Sequence, residues 1–204
     1  EASSRVTLSI INDVLDFAAQ EKGDIELREA SFSLRELIAG VRDMMAPLAD
    51  AKDLMLRIHF DQSISEHFIG DADRLRQVLV NLVENSSKAL GRNRGTVTIE
   101  VRRRAPNATN ATAELSEAAG PILEVVDDGP GIPPEILPRL FEPYVSSRPL
   151  NQAESGPEGM GLGLAISRKI LLDHGGDLEL LASSPAGARF RLLLPPLEGS
   201  CEES

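Results

Sequence analysis

Residues 74–89 read Arg74-Leu75-Arg76-Gln77-Val78-Leu79-Val80-Asn81-Leu82-Val83-Glu84-Asn85-Ser86-Ser87-Lys88-Ala89, and the fold is decided by how this stretch is read. Leu75, Val78, Leu79, Leu82 and Val83 recur at helical spacing, which predicts one apolar face turned into a core. Asn81, Asn85 and Lys88 fall at i, i+4 and i+7 and share the neighbouring stripe. Two carboxamides and an ammonium beside an apolar face suit a hydrated cation and a phosphate. A solvated polar face would read the same way. This helix alone leaves both readings open.

Upstream, Gly70-Asp71-Ala72-Asp73 predicts a turn with Asp71 or Asp73 as N-cap, and Gly91 predicts the stop. Leu54 to Phe60 alternates like a half-buried strand. Ser33 with Glu36 forms a capping-box signature, so a helix should run from Leu34 to about Asp50. Its inward positions are expected to be Leu34, Leu37, Ile38, Val41, Met44, Met45 and Leu48, and Pro47 predicts a kink or an early end. Ile25 to Leu27 reads as a short strand. From Ser4 to about Gln20, Leu8, Ile11, Leu15 and Ala18 make a seam that Ile10, Val14 and Phe17 widen. A helix so broadly apolar fits a helical bundle, with an ordinary core helix as the other reading.

Downstream, Thr96 to Val101 reads as a strand and 105–120 as an exposed hairpin loop. Its Asn107-Ala108-Thr109 and Asn110-Ala111-Thr112 match the glycosylation acceptor pattern, without a secretion signal to give that meaning. Ile122 to Val126 is apolar apart from Glu124, as at a sheet centre. Residues 133–141 predict a brief helix, and 142–160 a long Gly/Pro/Ser-rich segment of the kind that forms lids. Leu162 to Asp173 predicts a helix stopped by Gly175-Gly176. Asp177 to Ala182 and Ala188 to Leu194 predict a closing strand pair, and the residues from Pro195 a frayed tail.

Composition narrows the function. A formal charge of −11 over 204 residues argues against a general nucleic-acid or anionic-membrane surface. Arg74, Arg76, Lys88, Arg92 and Arg94 nevertheless cluster around the organising helix and could line a basic pocket. One cysteine, Cys201, builds neither a disulfide framework nor a multi-cysteine metal site, which points to a reducing, cytoplasmic compartment. No apolar run reaches the roughly 18 residues of a membrane span.

Two further stretches carry chemistry. The central strand runs into Asp127-Asp128-Gly129-Pro130-Gly131-Ile132-Pro133. A carboxylate at a strand end, followed by glycines, lets a ligand approach closely, and an ionised Asp accepts from a donor such as the adenine amino group. A tight turn in which Asp caps the next helix is the competing reading. The second is Gly159-Met160-Gly161-Leu162-Gly163-Leu164, which opens a helix. Free N–H groups at such a start suit phosphate, although neither a P-loop nor a GxGxxG turn is present.

Taken in order, these are a polar helix, Asp-x-Gly-x-Gly, a segment with Phe141-Glu142-Pro143-Tyr144, and Gly-x-Gly-x-Gly. The order closely resembles the catalytic, ATP-binding domain of sensor histidine kinases, within the gyrase–chaperone–kinase–mismatch-repair ATPase superfamily. The resemblance covers roughly residues 30–196. It implies an α+β fold, a two-layer sandwich with a mixed sheet of about five strands covered on one face by about three helices, plus an N-terminal bundle helix. It divides the chain into 1–23, the second helix of a dimerisation and phosphoacceptor hairpin; 24–196, the catalytic domain; and 197–204, a disordered tail.

The same resemblance implies roles. Asn85 would hold Mg²⁺ against the triphosphate, an oxygen ligand for a hard cation. Asn81 matches the preceding Asn of that box and Lys88 a phosphate-contacting Lys. Asp127 would bind the adenine amino group, with Gly129 and Gly131 shaping the pocket. Gly159, Gly161 and Gly163 would hinge the lid and meet the phosphates, with Leu164 closing the same box. Phe141 and Tyr144 would anchor the lid, and Arg148 could reach a phosphate from it. The first hairpin helix, with its phosphorylated His, is expected to precede residue 1. None of His59 in a strand, His67 in a polar loop or His174 in a helix's last turn has the acceptor context. The implied partners are ATP, that upstream helix, a response regulator and a second copy in the full-length protein, with no nucleic acid and no membrane contact by this fragment.

Two alternatives come from other classes. Hydrolytic relatives of the gyrase or mismatch-repair kind carry a Glu four residues before the Mg²⁺-binding Asn; here that position is Asn81, which cannot activate water. A degenerate nucleotide-binding regulator is the other. Ser86-Ser87 replaces a small-apolar pair usual after that Asn, and Gly91 stands where an aromatic is common, which bears on nucleotide affinity more than on fold.

Overall fold

The computed structural model describes residues 27–64, 67–91, 94–103, 121–146, 161–184 and 186–195. The proposed N-terminal bundle helix, the 105–120 loop, the C-terminal tail, Arg148 and Gly159 therefore lie outside the described residues. In order come β1 (Ala30–Ser33), α1 (Leu34–Ala51), β2 (Leu54–Phe60), β3 (His67–Gly70), α2 (Ala72–Leu90), β4 (Gly95–Arg103) and β5 (Pro121–Asp127). A 3-10 turn at Leu137–Arg139, α3 (Gly163–Asp173), β6 (Asp177–Ser184) and β7 (Gly187–Leu193) follow. The sheet order is β2-β4-β5-β7-β6, with β2 and β4 parallel and the other neighbours antiparallel.

β5 is the central strand, as its apolar run, interrupted only by Glu124, predicts. Val97, Ile99 and Val101 of β4 pair across from Asp127, Val125 and Leu123, so these residues share one face. Phe190 and Leu192 of β7 continue that face. All three helices cover it: α1 against β2, α2 against β4 and β5, α3 against β6. Leu34, Ile38, Val41, Val78, Leu79, Leu82, Ile170 and Leu171 fill the layer between, each nearly inaccessible to solvent. Each such side chain contributes about 1.5–3 kcal/mol through burial. α2 packs between α1 and α3, so the helix with the polar stripe is also the centre of its layer.

Helix ends follow the sequence signals. Ser33 Oγ accepts from the Glu36 N–H, and Asp71, rather than Asp73, caps α2 by accepting from the N–H groups of Asp73 and Arg74. Gly91 ends α2 at a φ of +66°. After α3 the Gly176 N–H returns to the Leu171 carbonyl at 2.8 Å, closing the helix through Gly175.

Four expectations change. Pro47 does not end α1, which runs on to Ala51; Pro47 and Asp43 are exposed, so water can take the Asp43 carbonyl left without a donor. Met44 is 57% exposed, one position off the buried stripe that Val41 and Met45 occupy. No strand includes Leu27; the strand begins at Ala30 and pairs with His67–Gly70, so His67 lies in a strand, not a loop. Phe32 and Phe68, with ring centroids 6.2 Å apart, pin that pair. Residues 133–141 form turns and a single 3-10 turn instead of a helix.

His174 joins two helices. Its Nδ1 lies 2.7 Å from the Ile170 carbonyl, and its Nε2 accepts from the Asp71 N–H at 3.2 Å. The end of α3 is thereby clasped to the cap of α2.

The face of the sheet away from the helices carries a second, polar layer. Glu124 of β5 is fully buried there and accepts hydrogen bonds from Arg102, Arg189 and Arg191. Burial pushes its carboxyl up, but the hydrogen bonds of Arg102 and Arg191, the Arg102 charge and the Arg189 bond outweigh that and hold it below the ordinary glutamate value. Among the described residues no helix is long and apolar enough to cross a membrane.

Candidate functional site

The site lies where the end of β5, the polar stripe of α2 and the start of α3 meet. Asp127 faces the helices because it continues the alternation of Leu123 and Val125. The residue is 6% exposed; Oδ2 accepts from Ser86 Oγ of α2 at 3.0 Å, and Oδ1 from the N–H groups of Gly129 and Ala188. An ionised carboxylate offers about four acceptor positions, so one remains for a ligand donor. Asp128 turns the other way and receives the Thr96 N–H at 2.7 Å. Asp127 caps no helix. The turn reading is right only in that Gly129 bonds back to it.

Gly131 holds the next bend at a φ of +75°, with a hypothetical Cβ only 2.2 Å from the Ser184 carbonyl oxygen. The Ile132 N–H donates to Ser183 Oγ at 2.6 Å, so the Asp-x-Gly-x-Gly turn is fastened to the end of β6.

Asn81 and Asn85 do meet. The Asn85 Nδ2 donates to Asn81 Oδ1 at 3.4 Å, and Asn81 Nδ2 donates to the buried Ser167 Oγ of α3 at 2.8 Å. Gly163 makes room for this: a Cβ there would sit 2.3 Å from Asn81 Oδ1. Among the described residues no side chain caps α3, so another acceptor can take its first N–H groups. Gly161 lies two residues earlier, against the backbone of Val145, and Leu164 is half-buried against the core.

Lys88, on the same stripe, forms an ion pair with Glu84 at 3.2 Å. The expected basic pocket is not assembled among the described residues. Arg76 pairs with Asp73, Arg94 with Asp53, and Arg74 donates to Gln77, because each finds a nearer partner. Phe141 is half-buried beneath the Arg168 guanidinium, 5.0 Å from its ring centroid. Asp177 hydrogen bonds hold that guanidinium in place and push its pKa further up. Tyr144 is exposed and at a φ of +64°.

Ser86, Ser167 and the Ala188 N–H were not among the residues expected at the site. Ser86 is visible in sequence as a departure next to Asn85. Ser167 and Ala188 reach the site only through tertiary pairing, and no local pattern marks them.

The family model described as "Histidine kinase-, DNA gyrase B-, and HSP90-like ATPase" matches residues 70–198, more than half of the chain. The sensory/regulatory protein RpfC of Xanthomonas campestris pv. campestris is 33% identical over 199 residues, 96% of this chain and 25% of RpfC. The signal transduction histidine-protein kinase BarA of Escherichia coli K12 is 32% identical over 93% of this chain and 19% of BarA. The chain thus spans a quarter or less of these relatives' length. Among solved structures, full-length ShkA in complex with AMPPNP matches with a TM-score of 0.75 and 27% identity, covering 95% of this chain and 36% of that one. The catalytic domain of histidine kinase ThkA matches at 0.60 and 26%, over 84% of this chain and 96% of that one. The chain belongs to the histidine kinase-, DNA gyrase B- and HSP90-like ATPase family, and carries the ATP-binding catalytic domain of its two-component histidine kinases.

Proposed function

We propose that this domain binds ATP with Mg²⁺ in the cleft between β5, α2 and α3, and passes the γ-phosphoryl group to a histidine on a helical hairpin. That hairpin would pair two copies of the parent protein, and a response regulator would take the phosphoryl group onward, in the cytoplasm. The observation that carries the reading is Asp127. It is buried, held by three donors, and keeps an acceptor position beside α2. An adenine amino group donates there; a guanine carbonyl at the same place would meet a carboxylate.

The remaining roles follow the chain of contacts. Among the described residues Asn85 Oδ1 takes no hydrogen bond, and a carboxamide oxygen suits a hard cation that stays bound to phosphates. Mg²⁺ would neutralise charge on the β- and γ-phosphates. The start of α3, with Gly161 and Gly163, offers N–H groups to the phosphate side, and Lys88 can exchange Glu84 for a phosphate oxygen on its flexible stem. Arg148 and Gly159 are proposed for the same side from the sequence. In the transfer, the lone pair of a neutral imidazole nitrogen forms the N–P bond. The bond from Pγ to the bridging oxygen breaks, and ADP leaves with that electron pair. The protein's share is positioning and charge stabilisation.

Water activation is disfavoured. The position that serves hydrolytic relatives holds Asn81, whose carboxamide lies between Ser167 and Asn85, and Glu84 is occupied by Lys88. The test is γ-labelled ATP incubated with this protein and an acceptor hairpin bearing the histidine. Label on the hairpin, stable to base and labile to acid, supports the reading. Release of inorganic phosphate without labelling of the hairpin contradicts it.

A further inference from the structure

We propose that the gap between α1, β2 and α2 binds a small neutral molecule with an apolar body and a single hydroxyl or carbonyl group at its tip. The proposal stands apart from the nucleotide reading, because the gap is not in the cleft. Ser86 and Ser87 are consecutive on α2, so their side chains leave the helix about 100° apart. Ser86 meets Asp127, whereas Ser87 joins Met45 and Leu48 of α1, Leu54 and Met55 of β2, and Val83.

Shape is the first observation that points to a ligand. The gap holds about 10 Å³, room for one small group, and it opens to solvent. Met45 and Val83 are buried, Leu48 and Leu54 are half-buried, and Met55 is 52% exposed, so the lining grades from core to surface. The second observation is the Ser87 hydroxyl. The residue is 2% exposed, and among the described residues its Oγ has no hydrogen-bond partner. Every other lining side chain is apolar. A buried hydroxyl left unmet disfavours the free fold, and a ligand that brings one polar atom relieves it.

The chemistry of the gap selects the class of ligand. A hydroxyl donates as readily as it accepts, so Ser87 serves an alcohol, a phenol or a carbonyl, and nothing depends on where its proton lies. A charged tip would be stripped of water among apolar side chains. The Lys52 ammonium, which donates to the Ser87 carbonyl at 3.2 Å, further disfavours a cation. A wholly apolar tip would leave the hydroxyl unmet, and a lone water would find one partner where a buried water takes about three. The body of the ligand would lie outside the gap proper, along Leu48, Leu54 and the rim. Met45, unbranched and polarisable, can adapt to it.

The experiment titrates the 204-residue protein with phenol and with toluene, which has a methyl group in place of the hydroxyl, in wild type and Ser87→Ala. Binding is read from the methyl NMR signals of Met45 and Val83. Both signals should move with phenol, and the phenol ring should show nuclear Overhauser contacts to them. The ratio of phenol to toluene affinity should fall about fivefold in Ser87→Ala, the loss of one hydrogen bond. Toluene should bind Ser87→Ala at least as well as wild type, which shows that the variant keeps its fold and its gap. An unchanged ratio overturns the proposal. So do Met45 and Val83 signals that stay still at millimolar phenol, or phenol contacts confined to the residues around Asp127.

Discussion

Ser86 Oγ of α2 donates to Asp127 Oδ2 of β5 across 3.0 Å, inside the layer where the helix meets the central strand. The bond ties together the two elements that were separately expected to bind metal and base. It also explains why a serine stands where a small apolar residue is usual after Asn85. In this chain the position orients the carboxylate as well as packing.

Asp127→Ala removes the acceptor proposed for the adenine amino group. A charge-assisted hydrogen bond of this kind is worth about 1–3 kcal/mol, so ATP affinity should fall by about fivefold to 150-fold. The preference for ATP over GTP should shrink with it. Competition titrations with both nucleotides check this; unchanged affinity and unchanged preference would remove Asp127 from the site.

Glu124 gives the stability a pH signature. Its carboxyl is lowered in the folded state, so the folded chain binds that proton less readily than the unfolded one. The stabilisation is complete above the unfolded glutamate value and is lost as pH falls through the lower folded value. Glu124→Gln should lower stability by about 3 kcal/mol near neutral pH, because three arginines lose their shared charge. It should also flatten the acid side of the stability curve. Denaturant melts at a series of pH values would show it, and parallel curves for the two proteins would count against this role.

Ser87 is the residue next along α2, and its hydroxyl is buried without a hydrogen-bond partner among the described residues. It sits among Met45, Leu48, Leu54, Val83 and Val97, which offer it nothing polar. Ser87→Ala should therefore stabilise the fold by about 1 kcal/mol, the relief of an unsatisfied buried group. Equilibrium unfolding measures this directly. A loss of stability would mean that the hydroxyl has a partner after all.

Sequence reasoning reached the parts of this molecule that are local. The apolar register of α2, the Asp71 cap, the Gly91 stop and the central position of β5 all follow from periodicity and turn chemistry, and the structure has them. The ordered Asp127 turn and Gly161–Gly163 box were legible because glycine marks close approach wherever it falls. The pairing of β1 with β3 was not legible: four residues are too few for an alternation to register, and Phe32 finds Phe68 only in three dimensions. The Asn81–Ser167 bond and the Ala188 donor to Asp127 join segments far apart in the chain. The supposed basic pocket failed for the opposite reason. Charge counts ignore the acidic partners that Asp73, Glu84 and Asp53 supply nearby.

The central claim is an adenine nucleotide held together with a cation by Asp127 and Asn85. Calorimetric titration with AMPPNP, with and without Mg²⁺, in wild type and Asn85→Ala tests it most directly. The account predicts that Mg²⁺ tightens binding to wild type and leaves Asn85→Ala almost unaffected, with both proteins equally folded. Absence of binding to wild type at millimolar nucleotide, or equal tightening in Asn85→Ala, would contradict it.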